Sequence, residues 1–187
     1  MKRLFDFATS ALALLVSSPI LAGSAAAIVL EDRGPVLYRQ RRVGKDGVEF
    51  ELLKLRTMVV GAETIGAGLA VNEGDPRITK VGAILRRLSL DELPQFWNVL
   101  RGEMSIIGPR PTLAYQVERY TPRQRRRLEV KPGITGWAQV RYHYGGSLED
   151  ARRKHQFDLY YVKHNSLLLD MLVLLETVSV VLFHEGQ

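Results

Sequence analysis

The sequence predicts an α+β fold that is mainly helical, and three observations support this. Residues 8–30 form an almost uncharged run that is long enough for a membrane helix. Apolar and polar residues alternate on both sides of residues 44–47, as they do in a β-hairpin. Apolar stripes at helical spacing cover residues 78–88 and 90–100. A chain of 187 residues is long enough for one domain with a core.

The composition of the chain limits the kinds of partner and of chemistry that it can have. The formal net charge of +6 favours an anionic partner: nucleic acid, phospholipid headgroups or a phosphorylated substrate. The chain has no cysteine, which excludes disulfides, thiolate zinc sites and a cysteine nucleophile. The apolar residues are concentrated at the two ends of the chain. The mean hydropathy of the whole chain therefore does not reveal a candidate membrane segment.

The N-terminal apolar run has two ordinary explanations, a secretory signal peptide or a membrane helix. Lys2 and Arg3 precede the run, and small residues at 22–27 resemble a cleavage site. Two features favour a retained membrane helix. Asp6 lies between the basic residues and the apolar run, and the run resumes after the small residues instead of ending there.

A Ser18-Pro19 pair interrupts the middle of this run. Proline removes a backbone hydrogen bond and kinks a helix, and serine can re-satisfy the freed carbonyl. Basic residues flank the run on both sides: Lys2, Arg3, Arg33, Arg39, Arg41 and Arg42. Because positive flanks prefer the cytoplasmic side, we expect residues 1–30 to enter one leaflet and return. A kinked helix that spans the bilayer remains the alternative.

Residues 36–43 and 48–58 form the expected β-hairpin around the Asp-Gly turn at 44–47. Lys54 and Arg56 lie on its second strand and could point into a site, although hairpin lysines are more often solvated.

A second helix is expected after residues 61–74, which form a loop over the site. Asp75 and Pro76 predict its cap and its first turn. Its apolar stripe consists of Ile78, Val81, Ile84, Leu85 and Leu88. This helix would carry Arg86 and Arg87 to the start of the next segment.

Two adjacent carboxylates, Asp91 and Glu92, follow these arginines. Ser89, three residues before Glu92, gives the capping-box pattern, so the carboxylates are expected at a helix N-terminus. Pro94 leaves the start of that helix uncertain by about a turn. The helix stripe consists of Leu90, Leu93, Phe96, Trp97 and Leu100, and Gly102 is its natural end.

Ser-Leu-Asp-Glu alone is explained by helix capping. Its combination with the upstream arginines and with Arg110, which Pro109 and Pro111 flank, predicts a phosphate site.

The remaining chain carries a basic segment and an apolar C-terminal segment. The arginines are Arg119, Arg123, Arg125, Arg126 and Arg127. Without interleaved aromatic residues they do not indicate a nucleic-acid site, and beside an apolar anchor they favour anionic lipid. In residues 166–183, Asp170 and Glu176 argue against a membrane span, because each costs about 2.5 to 3.5 kcal/mol at a helix centre. We expect interfacial helices with Tyr160 and Tyr161 at headgroup depth.

Residues 89–95 and 98–111 resemble the core signature of the bacterial sugar transferases, the monotopic phosphoglycosyl transferases. Residues 34–36, 53–58 and 131–140 match the same family, and Ser18-Pro19 resembles the break in its re-entrant helix. Family members commonly continue with Asn-Gly and a downstream Arg, whereas this chain has Arg-Tyr-His-Tyr-Gly-Gly at 141–146. That departure resembles the exopolysaccharide subset and leaves sugar specificity open. His143 and His155 lie in or after it, but an isolated histidine is more often structural.

The resemblance implies a function and a set of site residues. A sugar-1-phosphate would move from a UDP-sugar to polyprenyl (undecaprenyl) phosphate with release of UMP, as the first membrane step of glycoconjugate or exopolysaccharide synthesis. Asp91 would be the nucleophile and Glu92 a Mg²⁺ ligand. The expected phosphate-binding residues are Arg86, Arg110, Lys54 and Arg56.

The resemblance also implies an organisation. Residues 1–30 would form the re-entrant helix, and residues 31–187 a helical catalytic domain with interfacial amphipathic helices on the cytoplasmic face of the bacterial inner membrane. Oligomeric state, including a homodimer, stays open. Two other functions also stay open: a non-catalytic module that binds anionic lipid, and a Mg²⁺-dependent phospholipid or pyrophosphate hydrolase.

Overall fold

The computed structural model describes residues 2–65, 68, 74–142 and 148–183. Within them the helices are α1 (Lys2–Asp32), α2 (Lys80–Arg87), α3 (Gln95–Arg101), α4 (Ala114–Glu118), α5 (Pro122–Arg125), α6 (Trp137–Arg141), α7 (Leu148–His164) and α8 (Leu167–Phe183). The strands are β1 (Leu37–Val43), β2 (Glu49–Leu55), β3 (Ser105–Ile107) and β4 (Gly133–Thr135). The mainly helical α+β prediction is confirmed. His143 lies outside the described residues.

Helix α1 runs unbroken through Pro19. Pro19 cannot donate to the carbonyl of Leu15, and the Ser18 hydroxyl donates to that carbonyl instead, at 2.7 Å. Over the described residues, α1 is the one helix long and apolar enough to cross a membrane. Its buried residues are mostly polar or small: Asp6, Ser10, Ser17, Ser24 and Ile28. Its large apolar side chains therefore remain exposed on the outside of the protein.

The start of α1 is bonded to the folded domain. The Lys2 ammonium lies 2.5 Å from the Asp170 carboxylate of α8. The Arg3 guanidinium donates to the Leu100 carbonyl at 2.7 Å, near the C-terminus of α3, where a positive charge is favoured. Buried Asp6 accepts from the backbone N–H of Ile106 at 3.1 Å.

The end of α1 is bonded to the same domain. The Asp32 carboxylate accepts from the Arg56 guanidinium at 2.5 Å. The Glu31 carboxylate accepts from the backbone N–H of Lys80 at 2.8 Å, so it caps the first turn of α2. Both ends of this apolar helix are thus attached to the polar part of the molecule.

Strands β1 and β2 pair antiparallel, from Leu37 opposite Leu55 to Val43 opposite Glu49. Asp46 and Gly47 have positive φ angles of 57° and 81°, which makes the tight reversal between the strands. The hairpin prediction is confirmed.

The core lies between β2, α3, the β3–β4 pair, α6, α7 and α8. It contains Phe50, Leu52, Val99, Met104, Ile106, Ile107, Val140, Tyr161 and Val173. Strands β3 and β4 pair in parallel, and a Cβ on Gly133 would lie 2.1 Å from the backbone nitrogen of Gly108. Glycine is required where these two backbones meet. A smaller cluster of Ile28, Leu55 and Leu85 joins α1, the hairpin and α2.

Two predicted helix starts are wrong. Helix α2 begins at Lys80 with Thr79 as its cap, because buried Arg77 pairs with Asp75 at 2.6 Å and holds that segment outside the helix. Ser89 caps nothing, since its φ of 53° turns the backbone into the left-handed region and its side chain makes no cap bond. Helix α3 starts only after Pro94 and ends, as expected, at Gly102, whose φ is 83°.

The C-terminal segment forms two helices, as expected, but Tyr161 is not at headgroup depth. It is 1% exposed and donates to the Asp170 carboxylate at 2.6 Å. The carboxylate sets this direction, because a buried Asp170 needs hydrogen-bond donors and Lys2 and Tyr161 supply them. Tyr160 is half exposed, and its expected position at headgroup depth stays a prediction.

Candidate active site

Asp91 and Glu92 lie on a single 3₁₀ turn, Leu90–Glu92, between α2 and α3. Leu90 anchors the turn by packing against the cluster that joins α1, the hairpin and α2. The left-handed Ser89 reverses the chain after α2, and Pro94 begins the next helix. The turn is therefore fixed at both of its ends.

Lys54 of β2 reaches both carboxylates, so the structure brings this predicted residue into the site. Its ammonium lies 2.7 Å from Oε1 of Glu92 and 3.4 Å from Oδ2 of Asp91. Its side chain is only 20% exposed, so water screens this interaction incompletely.

Arg110 approaches Glu92 from the Pro-flanked corner that follows β3. Its Nη2 lies 2.8 Å from the Glu92 Oε1 that also accepts from Lys54. Burial alone would raise the pKa of Glu92, but Arg110 and Lys54 outweigh burial and lower that pKa to about 2. Glu92 therefore carries its charge at every physiological pH.

The pKa of Asp91 is shifted in the direction opposite to that of Glu92. Burial raises the pKa of this carboxyl, and the charge of Glu92 raises it further, while Lys54 and Arg86 oppose the rise. Adjacent carboxyls with pKa values displaced in opposite directions are typical of sites where the two groups have different roles. The positive charges of Lys54 and Arg86 therefore favour the ionised form of the buried Asp91 carboxyl.

Arg86 and Arg56 have different places. Arg86 in the last turn of α2 donates from Nε to the hydroxyl of Thr57 at 2.9 Å, and its charge acts on Asp91. Arg56 lies beyond the end of β2, where strand alternation no longer holds, and its contacts are with Asp32 and with the carbonyls of Pro35 and Met58. Arg56 thus attaches α1, and its expected role in phosphate binding stays a prediction.

Arg127 supports the backbone at Arg110 through a hydrogen bond, a role that the sequence did not predict. Its Nη2 donates to the backbone carbonyl of Arg110 at 2.6 Å, and its Nη1 donates to the Tyr120 hydroxyl at 2.9 Å. Its Nε lies 2.8 Å from the buried Asp158 carboxylate of α7. Arg127 belongs to a run of similar arginines, so its sequence position gave no sign that this one is buried.

His155 is not part of the carboxylate site. Its ring meets Tyr120 edge to face with centroids 4.8 Å apart, and its Nδ1 lies 3.2 Å from the Ala151 carbonyl. Burial and the nearby Arg127 lower the pKa of this imidazole, which keeps it neutral. These contacts fit the structural role that an isolated histidine usually has.

The donor set suits a shared magnesium ion. No group of three or more His, Asp or Glu residues in the described ranges is arranged to hold a metal. Mg²⁺ is commonly held by one or two carboxylates together with waters and substrate phosphates. Glu92 supplies such a carboxylate, so the site fits an ion that arrives with a diphosphate.

Comparison with known proteins identifies the family. The model of the bacterial sugar transferase family matches residues 1–184. The chain belongs to the bacterial sugar transferase family. The turn that carries Asp91 and Glu92, and the cationic residues around it, lie within the part of the chain that matches the family.

Two of three similar proteins have names that state an activity. The chain is 44% identical, over 97% of its length, to a UDP-N-acetylgalactosamine-undecaprenyl-phosphate N-acetylgalactosaminephosphotransferase of Aeromonas hydrophila, and covers 43% of that protein. It is 44% identical, over 95% of its length, to the UDP-glucose:undecaprenyl-phosphate glucose-1-phosphate transferase of Escherichia coli, and covers 39% of it. It is also 42% identical to the uncharacterized sugar transferase EpsL of Bacillus subtilis, where the match covers all of this chain and 89% of the relative. The chain thus spans less than half of two of these relatives and most of the third.

Proposed function

We propose that this protein is a phosphoglycosyl transferase that moves a sugar-1-phosphate from a UDP-sugar to a polyprenyl phosphate and releases UMP. The observation that carries the proposal is a buried Asp91 beside a permanently charged Glu92, with Lys54 and Arg110 within hydrogen-bond distance of the pair. The family and the activities named for its relatives in Aeromonas hydrophila and Escherichia coli support the reaction class.

The chemistry proceeds in two displacements at one phosphorus atom. Asp91 attacks the phosphorus that bears the sugar, the bond from that phosphorus to the bridging oxygen breaks, and UMP leaves with that oxygen. The sugar phosphate is then an acyl phosphate on Asp91. An oxygen of polyprenyl phosphate attacks the same phosphorus, and the Asp91 carboxylate leaves, which regenerates the enzyme.

The surrounding cations make an anionic nucleophile workable. Lys54 stabilises the charge of Asp91 before the attack, and Arg110 and Arg86 would neutralise the charge that develops on the diphosphate. A Mg²⁺ ion held by Glu92 and the diphosphate would supply further charge neutralisation. Arginine suits this role because its planar guanidinium can grip two phosphate oxygens.

We also propose that α1 is re-entrant, which would put both of its ends on the cytoplasmic side. A straight helix of 31 residues is roughly 46 Å long, more than the roughly 30 Å of a hydrocarbon core. A spanning helix would place its two ends on opposite sides of the bilayer. Yet Arg3 and Asp6 at one end and Glu31 and Asp32 at the other all bond to the same domain.

Cysteine labelling tests this topology without background, because the chain has no cysteine. One cysteine is introduced beside Lys2 and another as Asp46→Cys, each in a separate protein. An impermeant reagent should label neither in intact spheroplasts and both after lysis. Labelling beside Lys2 alone in intact spheroplasts would contradict the re-entrant helix. Pro19→Ala should shift the protein towards that spanning arrangement.

UMP release tests the activity. Continuous turnover should require a UDP-sugar and polyprenyl phosphate together, and it should disappear in Asp91→Asn. A pyrophosphate hydrolase would release UMP repeatedly without the lipid acceptor, and a phospholipid hydrolase or a non-catalytic membrane module would release none. A panel that includes UDP-glucose and UDP-N-acetylgalactosamine then identifies the sugar.

A further inference from the structure

A second site lies away from the carboxylate turn. A cavity of about 290 Å³ opens between α5 and the C-terminal half of α7. The residues of its lining that carry the argument are Arg123, Arg126, Leu159, Tyr160, Lys163 and His164. Its lining has no residue in common with the group formed by Asp91, Glu92, Lys54, Arg86 and Arg110.

The positive charge of this cavity is only partly compensated. Arg126 is already paired with Glu129 at 2.9 Å. The side chains of Arg123 and Lys163, by contrast, have neither a hydrogen bond nor an ion pair with any part of the chain that the structure describes. They come from two different helices and line the same cavity. Two unpaired cations that converge on one space attract an anion.

The cavity also has an aromatic wall. The ring of Tyr160 packs on His164 with centroids 4.3 Å apart and stacks on Trp137 at 6.1 Å. Tyrosine and tryptophan are enriched where a membrane meets water, because each combines an apolar ring with a polar atom. An aromatic wall of this kind is suited to an interface between water and lipid.

An apolar surface begins where α7 ends. Leu167 and Leu168, at the start of α8, are 60% and 82% exposed. The exposed apolar surface continues along α8 through Met171 and Leu175. A cationic cavity next to an exposed apolar helix matches a ligand with a phosphate head and hydrocarbon tails.

We propose that this cavity binds the phosphate headgroup of an anionic phospholipid, whose acyl chains lie against the exposed face of α8. The polyprenyl phosphate of the proposed reaction is a different ligand, because its phosphate has to reach Asp91. The bound phospholipid would fix the depth and orientation of the C-terminal helices at the membrane surface. The assignment does not depend on the proposed transfer reaction, since it uses none of the same residues.

Tryptophan fluorescence tests the proposal. The chain has two tryptophans, so Trp97→Phe leaves Trp137, which stacks on the wall of the cavity, as the reporter. The full chain in non-ionic micelles is titrated with dihexanoyl phosphatidylglycerol, dihexanoyl phosphatidylcholine or inorganic phosphate. We expect a saturable response to phosphatidylglycerol that neither of the other ligands matches.

Matched double variants separate a site from general charge attraction. Arg123→Gln/Lys163→Gln should weaken phosphatidylglycerol binding about 30-fold, from roughly five-fold per basic residue at a lipid surface. Each single variant should therefore lose about five-fold, which keeps the test valid if the double variant folds poorly. Arg39→Gln/Arg41→Gln removes the same charge from the exposed hairpin and should bind as the parent does.

Three results would overturn the proposal. The first is unchanged phosphatidylglycerol binding in Arg123→Gln/Lys163→Gln. The second is an equal loss in the hairpin control, which would show general charge attraction. The third is inorganic phosphate binding as tightly as phosphatidylglycerol, which would give the cavity a different occupant.

Discussion

Lys54→Gln is the substitution whose effect follows most directly from the geometry of the site. It removes the cation that lies 3.4 Å from Asp91 and 2.7 Å from Glu92. Burial already raises the pKa of Asp91, and Lys54 opposes that rise. Because Asp91 has to be ionised to attack phosphorus, its pKa sets an acidic limb in the pH dependence of turnover. Losing Lys54 raises that pKa and moves the limb to higher pH.

The size of the shift can be bounded from the distance. Unit charges 3.4 Å apart interact by about 5 kcal/mol at an effective dielectric constant of 20, which is the upper bound on what Lys54 contributes to the ionisation of Asp91. The side chain of Lys54 is 20% exposed, so water entering the vacated space would replace part of this interaction. Arg86 also remains close to Asp91. We therefore expect the limb to move to higher pH, by less than this bound alone would give.

The assay is the initial rate of UMP release across the acidic and neutral range, with both substrates saturating. Lys54→Arg keeps the charge and should leave the limb near its wild-type position. Arg39→Gln is the matched control, because it neutralises an exposed cation of the same hairpin whose partner is Glu51. A wild-type limb in Lys54→Gln, or an equal displacement in Arg39→Gln, would refute the reasoning.

Three further substitutions test the framework of the site. Arg110→Lys keeps the charge but loses bidentate phosphate binding, so turnover should fall at least about ten-fold while the melting temperature stays near wild type. Normal turnover would show that Arg110 is not part of the site. Asp158→Asn leaves Arg127 buried without its ion partner, so urea unfolding should show a loss of about 3 kcal/mol or more, and a neutral result would contradict the buried pair. Gly82→Ala places a Cβ 2.0 Å from the Thr57 carbonyl oxygen, so α2 has to move. Both the melting temperature and the rate of UMP release should then drop. An unchanged melting curve would show that α2 and Thr57 are not packed this closely.

Local patterns were enough to predict much of the site. Asp91, Glu92 and Arg110 fall within about twenty residues, and proline and glycine fix the backbone around them. Lys54 was predictable because the hairpin is set by its turn and by strand alternation, which hold as far as Leu55. Beyond that residue the alternation stops, and Arg56 turns to Asp32 instead.

Contacts between distant parts of the chain could not be predicted. Arg127 is buried against Asp158 on α7, yet its neighbours in the arginine run are exposed, and nothing local distinguishes it from them. Tyr161 turns inward because Asp170 lies nine residues further on, on a different helix. The attachment of both ends of α1 depends in the same way on partners as far away as α8.

The capping-box error has a specific cause. Ser89 and Glu92 have the right spacing, but the pattern requires an extended backbone at the serine. In the structure Ser89 is left-handed, and Pro94 delays the helix by a turn. The two carboxylates therefore belong to a tight turn between two helices. The predicted place of these carboxylates, at the N-terminus of the helix, was therefore wrong.

Mass spectrometry of the protein after incubation with UDP-sugar alone is the most direct test of the central claim, that Asp91 is the nucleophile. Without polyprenyl phosphate, the protein should gain the mass of one sugar phosphate on the peptide that contains Asp91, with one equivalent of UMP released. Adding polyprenyl phosphate should discharge the adduct. Asp91→Asn should fold, remain unmodified and be nearly inactive. Normal turnover by Asp91→Asn, or UMP release that always requires both substrates together, would contradict the covalent mechanism.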